Sequence, residues 1–259
     1  MINPFRDAMD YMERQTYCGL RERQAGGVNM LTDYLDKIIC GDCLEVMRGL
    51  PDGCVDAVVT DPPYGVGLKA TRTKHAQHSA VYESIEDSPD EIIPLVLSAL
   101  KECRRIAKRV VLTPGTRLLQ HYPPADDIGS IFFPNGTGLG RWGFITTHPI
   151  LYYGKCPYLE KGLGSRPNGV SATHWNRREN TEHPCEKPVQ MMRWLVERAS
   201  LPGDTILDPF LGSGTTAVAC KETGRHYIGI EIEPKYCDIA RRRVAEATPS
   251  LFAKEAVTI

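Results

Sequence analysis

The sequence predicts an α/β fold in which a mostly parallel, doubly wound sheet carries helices on both faces. Short apolar runs typical of buried strands alternate with longer segments whose apolar residues recur at helical spacing. Two of these strand-like runs end in loops rich in proline or glycine, at 60–64 and 209–214. Loops at the carboxyl ends of parallel strands form the ligand sites of such folds, so both loops are candidate site elements.

The first half of the chain alternates strand and helix signals. The run 55–59 is apolar and reads as a buried strand, and Ile92, Val96 and Leu100 recur on one side of a predicted helix. The predicted elements are strand 37–39, helix 44–50, strand 55–59, helix 89–107 and strand 109–113.

The second half predicts two further strands, 128–133 and 145–153, the latter at an edge of the sheet. Met192, Leu195, Val196 and Ala199 fall at i, i+3, i+4 and i+7, which is typical of a helix with one apolar face. The next predicted elements along the chain are strand 206–208, a helix that begins at 215 and strand 226–231. Residues 1–33 are predicted to be an amino-terminal extension, and 34–259 a single domain.

The strand end at Asp61-Pro62-Pro63-Tyr64 has the groups needed to hold an exocyclic amino group of a flat base. Such a nitrogen is a poor nucleophile because its lone pair is delocalised into the ring. Asp61 and the carbonyl of Pro62 can each accept one of its N–H bonds, and Tyr64 can stack on the ring. The alternative is a strand that simply ends in a Pro-Pro turn.

The segment from Ile206 to Thr216 indicates a second site element. A strand runs into a Gly-x-Gly turn and then a helix, which lets the backbone approach a ligand closely. Strand 226–231 follows and ends in Glu231, where an acid can accept the hydroxyls of a ribose. Glu233 is the competitor for this role, but Pro234 indicates that the chain has already turned, so Glu231 is preferred.

Two motifs of this chain together resemble those of the amino-methylating DNA methyltransferases. They are Asp61-Pro62-Pro63-Tyr64 and the later Asp208-Pro209-Phe210-Leu211-Gly212-Ser213-Gly214-Thr215-Thr216. The order, with the catalytic motif first, resembles the circularly permuted, beta-class members. The resemblance covers about residues 37–247. It implies a Rossmann-like S-adenosylmethionine-dependent methyltransferase fold that takes S-adenosylmethionine as cofactor and double-stranded DNA as partner. It also implies a target base flipped out of the duplex.

The resemblance assigns site residues one by one. The predicted catalytic residues are Asp61, Pro62, Pro63 and Tyr64. The predicted cofactor-binding residues are Asp42, Asp61, Lys187, Asp208, Pro209, Phe210, Gly212, Ser213, Gly214, Thr215, Thr216 and Glu231. Three of them have plainer alternatives: Asp42 as a helix N-cap, Lys187 as a solvated first-turn residue, and Phe210 as part of the core.

The identity of residue 61 bears on which base is methylated. Within the family that the motifs resemble, Asp at this position goes more often with adenine and Ser more often with cytosine. The resemblance therefore implies methylation of adenine N6, with cytosine N4 as the alternative. A catalytically idle DNA-binding subunit with the same fold is a further alternative, since fold and function separate readily.

The net charge, from 31 basic and 32 acidic residues, is not typical of a nonspecific nucleic-acid binder. Basic residues are instead concentrated in two segments, at about 65–85 and 155–182, which are predicted to be DNA-contacting loops. The candidate contacts are Lys69, Arg72, Lys74, Arg166, Arg177 and Arg178. The alternative is that both are ordinary surface loops.

No run of 18 apolar residues occurs and no signal-peptide pattern begins the sequence, so we expect a soluble cytoplasmic protein without membrane contact. Nine irregularly spaced cysteines fit reduced thiols, and their spacing does not favour a metal site. A restriction endonuclease is a possible partner. The oligomeric state stays open, with a homodimer possible.

Overall fold

The computed structural model of the protein describes residues 31–65, 88–140, 142–173, 175 and 186–248. Of the predicted extension 1–33, only residues 31–33 fall within them. The strands are β1 (Lys37–Cys40), β2 (Ala57–Thr60), β3 (Val110–Leu112), β4 (Asp127–Phe132), β5 (Gly138–Gly140), β6 (Gly143–Ile145), β7 (Thr147–Tyr153), β8 (Val170–Ser171), β9 (Thr205–Asp208) and β10 (His226–Glu231).

The helices, labelled in chain order over the same residues, are α1 (Cys43–Arg48), α2 (Pro89–Ile106), α3 (Gly115–Leu118), α4 (Pro157–Glu160), α5 (Val189–Ala199), α6 (Thr215–Glu222) and α7 (Pro234–Glu246). A 3-10 turn, Leu119–His121, follows α3. Ser88 caps α2 through its hydroxyl, and a proline occupies the first turn, as expected of a helix start.

The main sheet has the strand order β1-β10-β9-β2-β3-β7-β4-β8. The ladders from β1 through β3 are all parallel, and β7 pairs antiparallel with both of its neighbours. The predicted mostly parallel sheet is confirmed. The edge position predicted for the strand at 145–153 is wrong, because β7 lies between β3 and β4 and its Leu151, Tyr152 and Tyr153 are buried.

Helices cover both faces, as the alternation of side chains along a strand requires. In β2, Val58 packs into a cluster with residues of α1 and α2, whereas Ala57 and Val59 pack into a cluster with residues of α5 and α6. The apolar run of β2 is therefore buried on both sides, which is typical of a central strand in a doubly wound sheet.

The carboxyl ends of β2, β3, β9 and β10 meet at one edge of the sheet, which we call the rim. β2 pairs with β9 in the register Ala57 to Ile206, although the two strands are far apart in the chain. The loops that follow these strands, beginning at Asp61 and Pro209, therefore emerge side by side. Within the described residues, no helix is long and apolar enough to cross a membrane.

Candidate functional site

The two predicted motifs are joined at the rim by a direct hydrogen bond. Thr60 Oγ1, at the end of β2, donates to Asp208 Oδ1, at the end of β9, over 2.6 Å. Both residues are buried. The loops that begin at Asp61 and Pro209 are thus fixed to one another at their bases.

Asp61 is held by three donors from three different parts of the chain. Tyr64 and Thr113 donate their hydroxyls to Oδ1, and the Lys187 ammonium donates to Oδ2. The side chains of Asp61 and Lys187 are 16% and 15% exposed, so this ion pair is only partly screened by water. The carboxylate is consequently fixed in orientation before any ligand binds.

Tyr64 contacts both members of this ion pair. Burial raises the pKa of its phenol, and the neighbouring Asp61 carboxylate raises it further, so Tyr64 stays protonated and acts as a donor. Lys187 Nζ lies 4.8 Å from the centre of the ring. Gly115 packs against the ring with φ +65°, and a Cβ there would come within 2.9 Å of Tyr64 Cδ1.

The turn after β9 requires glycine at position 214 for two reasons: its backbone conformation and the lack of room for a side chain. Gly214 caps α6 with φ 88°, and a Cβ at this position would lie 2.7 Å from the Cβ of Ala240 in α7. The helix therefore starts tightly against α7. Any side chain at 214 would push the turn away from α7.

Asp208 organises this turn with both of its carboxylate oxygens. Oδ1 accepts from Thr60 and from the Phe210 amide at 3.0 Å, and Oδ2 accepts from Thr216 Oγ1 at 2.5 Å. Burial raises the pKa of Asp208 to about 6, against the lowering effect of these hydrogen bonds. Asp208 and Thr216, predicted to bind a cofactor, thus bond each other and shape the loop.

Glu231 and Asp42 stand at the ends of β10 and β1. The buried Glu231 carboxylate accepts the amides of Gly212 at 2.8 Å and Glu233 at 2.9 Å, and burial raises its pKa. Asp42 Oδ1 accepts from the amides of Leu44 and Glu45, so Asp42 is the N-cap of α1, which was the alternative to a cofactor-binding role. Both residues also line the cavity described next.

A single cavity at the rim receives residues from both motifs. Its lining includes all the predicted catalytic residues and all the predicted cofactor-binding residues except Gly214. Within it, the acidic pair Asp42 and Glu231 lies on the side of β1 and β10, and Asp61 lies on the side of β2. The walls between them are largely apolar, from Pro209, Phe210 and Leu211 among others. This donor and acceptor set fits a nucleoside with an extended polar chain.

Four site residues were not found by sequence reasoning: Thr60, Thr113, Glu186 and Arg243. Arg243 of α7 donates to the Ser213 carbonyl at 2.8 Å and to Thr215 Oγ1 at 3.2 Å, and it pairs with the buried Glu186 at 2.7 Å. This arginine therefore ties the glycine turn to the segment that carries Lys187. Thr60 directly precedes Asp61 and Glu186 directly precedes Lys187, which was a usable signal for both, whereas Thr113 and Arg243 belong to no motif.

Of the predicted DNA contacts, Lys69, Arg72, Lys74, Arg177 and Arg178 lie outside the described residues. Arg166 is described, and its guanidinium lies 4.8 Å from the centre of the Tyr158 ring. Tyr158 belongs to α4, which follows the carboxyl end of β7 and hence lies at the edge of the sheet opposite the rim. Arg166 therefore lies away from the rim, and its contact with DNA stays a prediction.

Comparison with known sequences identifies related proteins. The family profile described as DNA methylase matches residues 142–242. The putative methylase YubD of Escherichia coli (strain K12) is 30% identical over 220 residues, covering 82% of this chain and 91% of YubD. The type II methyltransferase M.HinfI of Haemophilus influenzae is 29% identical over 261 residues, covering 85% of this chain and 71% of M.HinfI.

Solved structures share the fold at low sequence identity. The cytosine-N4-specific PvuII DNA methyltransferase superposes with a TM-score of 0.56 and 16% identity, covering 83% of this chain and 94% of that one. The M1.HpyAVI–SAM complex gives a TM-score of 0.53 at 21% identity, covering 80% of this chain and 98% of that one.

Proposed function

Because the chain belongs to the family of N6/N4 DNA methylases, we propose that it transfers a methyl group from S-adenosylmethionine to adenine N6 of a base flipped out of double-stranded DNA. The observation that supports this most is the hydrogen bond between Thr60 and Asp208. It joins the loop that would hold the base to the loop that would hold the methyl donor.

The residues that would hold S-adenosylmethionine are those on the β9 and β10 side of the cavity. Glu231 would accept the ribose hydroxyls, and Asp42 would accept the adenine amino group with its second oxygen, since Oδ1 already caps α1. The bound cofactor supplies an electrophilic methyl group. Thr215, at the start of α6, would place backbone N–H groups near the carboxylate of its methionine part.

The amino group of the base would lie between Asp61 and the carbonyl of Pro62. An ionised carboxylate offers about four lone-pair sites, and Asp61 uses three of them for Tyr64, Thr113 and Lys187. One site on Oδ2 therefore remains for an N–H of the base. A hydrogen bond from this N–H to Asp61 would direct the lone pair of the amino nitrogen out of the ring plane. From there the nitrogen can attack a methyl group.

Tyr64 is the proposed stacking partner of the base. In the structure Lys187 Nζ lies over the Tyr64 ring. We propose that the base takes the place of the ammonium on this ring while Lys187 keeps its bond to Asp61. The stacking energy, roughly 1–3 kcal/mol per base, helps to offset the few kcal/mol that base extrusion costs.

A methyl-transfer assay tests the proposal. Wild type and Asp61→Ala are incubated with labelled S-adenosylmethionine and unmethylated genomic DNA, and the product nucleosides are identified by mass spectrometry. We expect N6-methyladenine from wild type and a loss of about a hundred- to a thousandfold in Asp61→Ala, the scale of removing a group that stabilises transition-state charge. N4-methylcytosine alone would overturn the choice of base, and equal labelling by both proteins would refute the role of Asp61.

A further inference from the structure

A two-stranded ribbon extends the main sheet beyond its last ladder. β4 and β7 pair up to Phe132 and Thr147, and the pairing continues through Phe133 N to Thr146 O at 2.7 Å. Thr137 N then donates to Ile145 O at 2.8 Å, and β5 pairs with β6 as far as Gly140 and Gly143. The hairpin 138–145, which we call the tip hairpin, therefore follows directly on the β4–β7 ladder, with a turn over residues 133–136 inserted on one strand.

The strand register shows in which direction the ribbon points. Thr60, Leu112 and Leu151 are paired across β2, β3 and β7, so they form one row at the rim. Because β7 runs antiparallel to β2 and β3, residues 147–150 continue past this row by about 14 Å at ~3.4 Å per residue. The tip hairpin precedes residues 147–150 in the chain and therefore lies beyond the same edge of the sheet as Asp61, the rim.

Side chains at the base of the ribbon contact one another. Thr137 Oγ1 lies 2.8 Å from His148 Nε2, and the His148 ring packs edge-on against Phe133 at 5.0 Å. Burial lowers the pKa of His148, and the positive charge of Lys187 lowers it further. These contacts of His148 hold Thr137 and Phe133 against β7 where the ribbon leaves the main sheet.

The tip hairpin carries three large apolar side chains that are exposed to solvent. Leu139 is 74% exposed, Trp142 103% and Phe144 75%. Single exposed apolar residues are ordinary, whereas three within residues 139–144 are typical of an interaction site. No described residue of this chain covers them.

We propose that the tip hairpin is a DNA-contacting element whose apolar side chains, Trp142 foremost, pack against the bases that flank the extruded nucleotide. The inference rests on the proposed function and adds to it a contact outside the cavity. DNA that delivers a base to Asp61 must lie across the rim, where the ribbon stands. Extrusion leaves neighbouring bases unstacked, and an aromatic ring can cover the exposed face.

Steady-state kinetics on duplex genomic DNA lacking amino-methylated bases tests this role. We expect kcat/KM for DNA to fall about tenfold or more in Trp142→Ala and to be largely restored in Trp142→Phe, because the ring face is retained. The KM for S-adenosylmethionine should stay unchanged. Thermal unfolding should match wild type, since the Trp142 side chain makes little contact with the folded core.

The matched control uses the same substitution at opposite edges of the sheet. Leu139 is in the tip hairpin, whereas Leu159 is 60% exposed in α4, at the edge away from the rim. Leu139→Ala should weaken methylation of DNA, and Leu159→Ala should leave it at the wild-type rate. Equal effects of the two would contradict a contact specific to the ribbon.

Two results overturn the inference while leaving the proposed function intact. One is wild-type DNA kinetics in Trp142→Ala. The other is a change in sedimentation of Trp142→Ala from the wild-type oligomeric state, which would assign the tip hairpin to contacts between copies of the chain. Absence of methyl transfer by wild type would instead refute the proposed function, and the inference with it.

Discussion

At the scale of single residues, the orientation of Asp61 depends on a neighbour that belongs to no motif. Thr113 is fully buried, and its hydroxyl donates to Asp61 Oδ1. Its amide also donates to the Thr60 carbonyl at 3.2 Å, so the residue is fixed to β2 by backbone as well as side chain. Thr113 is thus a positioning residue: it directs the other carboxylate oxygen toward the cavity.

Replacing this hydroxyl should slow the reaction without weakening cofactor binding. We expect Thr113→Val to lower kcat about tenfold or more, because a hydrogen bond to a charged group contributes about 1.5–3 kcal/mol. The KM for S-adenosylmethionine should change little, and Thr113→Ser should restore kcat. A purely structural role would be indicated if Ser were as slow as Val, and the assignment would be wrong if Val were as fast as wild type.

Residues within the motifs were predictable because their spacing is local, whereas their partners were not. The sequence led to Asp61 and Asp208, and the structure brings both to the rim. Arg243 stands in the run Arg241 to Arg243, which resembles an ordinary solvated helix surface. Only folding brings it to Ser213 and Glu186, so no local pattern indicated its contacts.

At the scale of elements, Asp208 connects three of them. Its carboxylate at the end of β9 accepts from Thr60 of β2 and from Thr216 of α6. The pairing of β2 with β9 is the contact that brings the two motifs together, and this carboxylate lies at its end. The central strands therefore depend on a buried acid whose ionisation is unfavourable.

This acid makes a specific contribution to the dependence of stability on pH. Its pKa is about 6 in the folded protein against 3.8 for the free side chain. The folded state thus binds the proton more tightly, and the stabilisation from this proton is lost as pH rises through about 6. The unfolding free energy of wild type minus that of Asp208→Asn should fall by about 1 kcal/mol between pH 5 and 7.5.

Denaturant unfolding of both proteins at the two pH values measures this difference, and the Asn variant serves as its own control for all other titrating groups. A difference that is constant, or that rises with pH, would show that Asp208 does not have a raised pKa in the folded protein.

Elements with strong local signals were predicted well, and their neighbours in the sheet were not. The helix predicted at 89–107 is observed as Pro89–Ile106, with a cap and apolar face that the sequence displays. The strand predicted at 145–153 is observed as Thr147–Tyr153, but its place between β3 and β4 is set by long-range pairing. An apolar run indicates burial without indicating which strands lie beside it.

At the scale of the whole molecule, the near-zero net charge of −1 means that DNA must be attracted locally rather than by the protein as a whole. The structure separates the two edges of the sheet clearly: the cavity, Lys187 and the ribbon lie at the rim, and Arg166 lies at the other edge. We therefore expect DNA to bind across the rim. A restriction endonuclease partner and a homodimer stay predictions.

The proposed methylation of adenine in DNA depends on Asp61, which is held at the rim beside the loop that begins at Pro209. Sequencing that detects modified bases, applied to DNA from cells expressing wild type or Asp61→Ala, tests it most directly. We predict N6-methyladenine at one short recurring sequence with wild type and none with Asp61→Ala. Unmodified DNA with wild type, or the same modification with both proteins, would contradict the account.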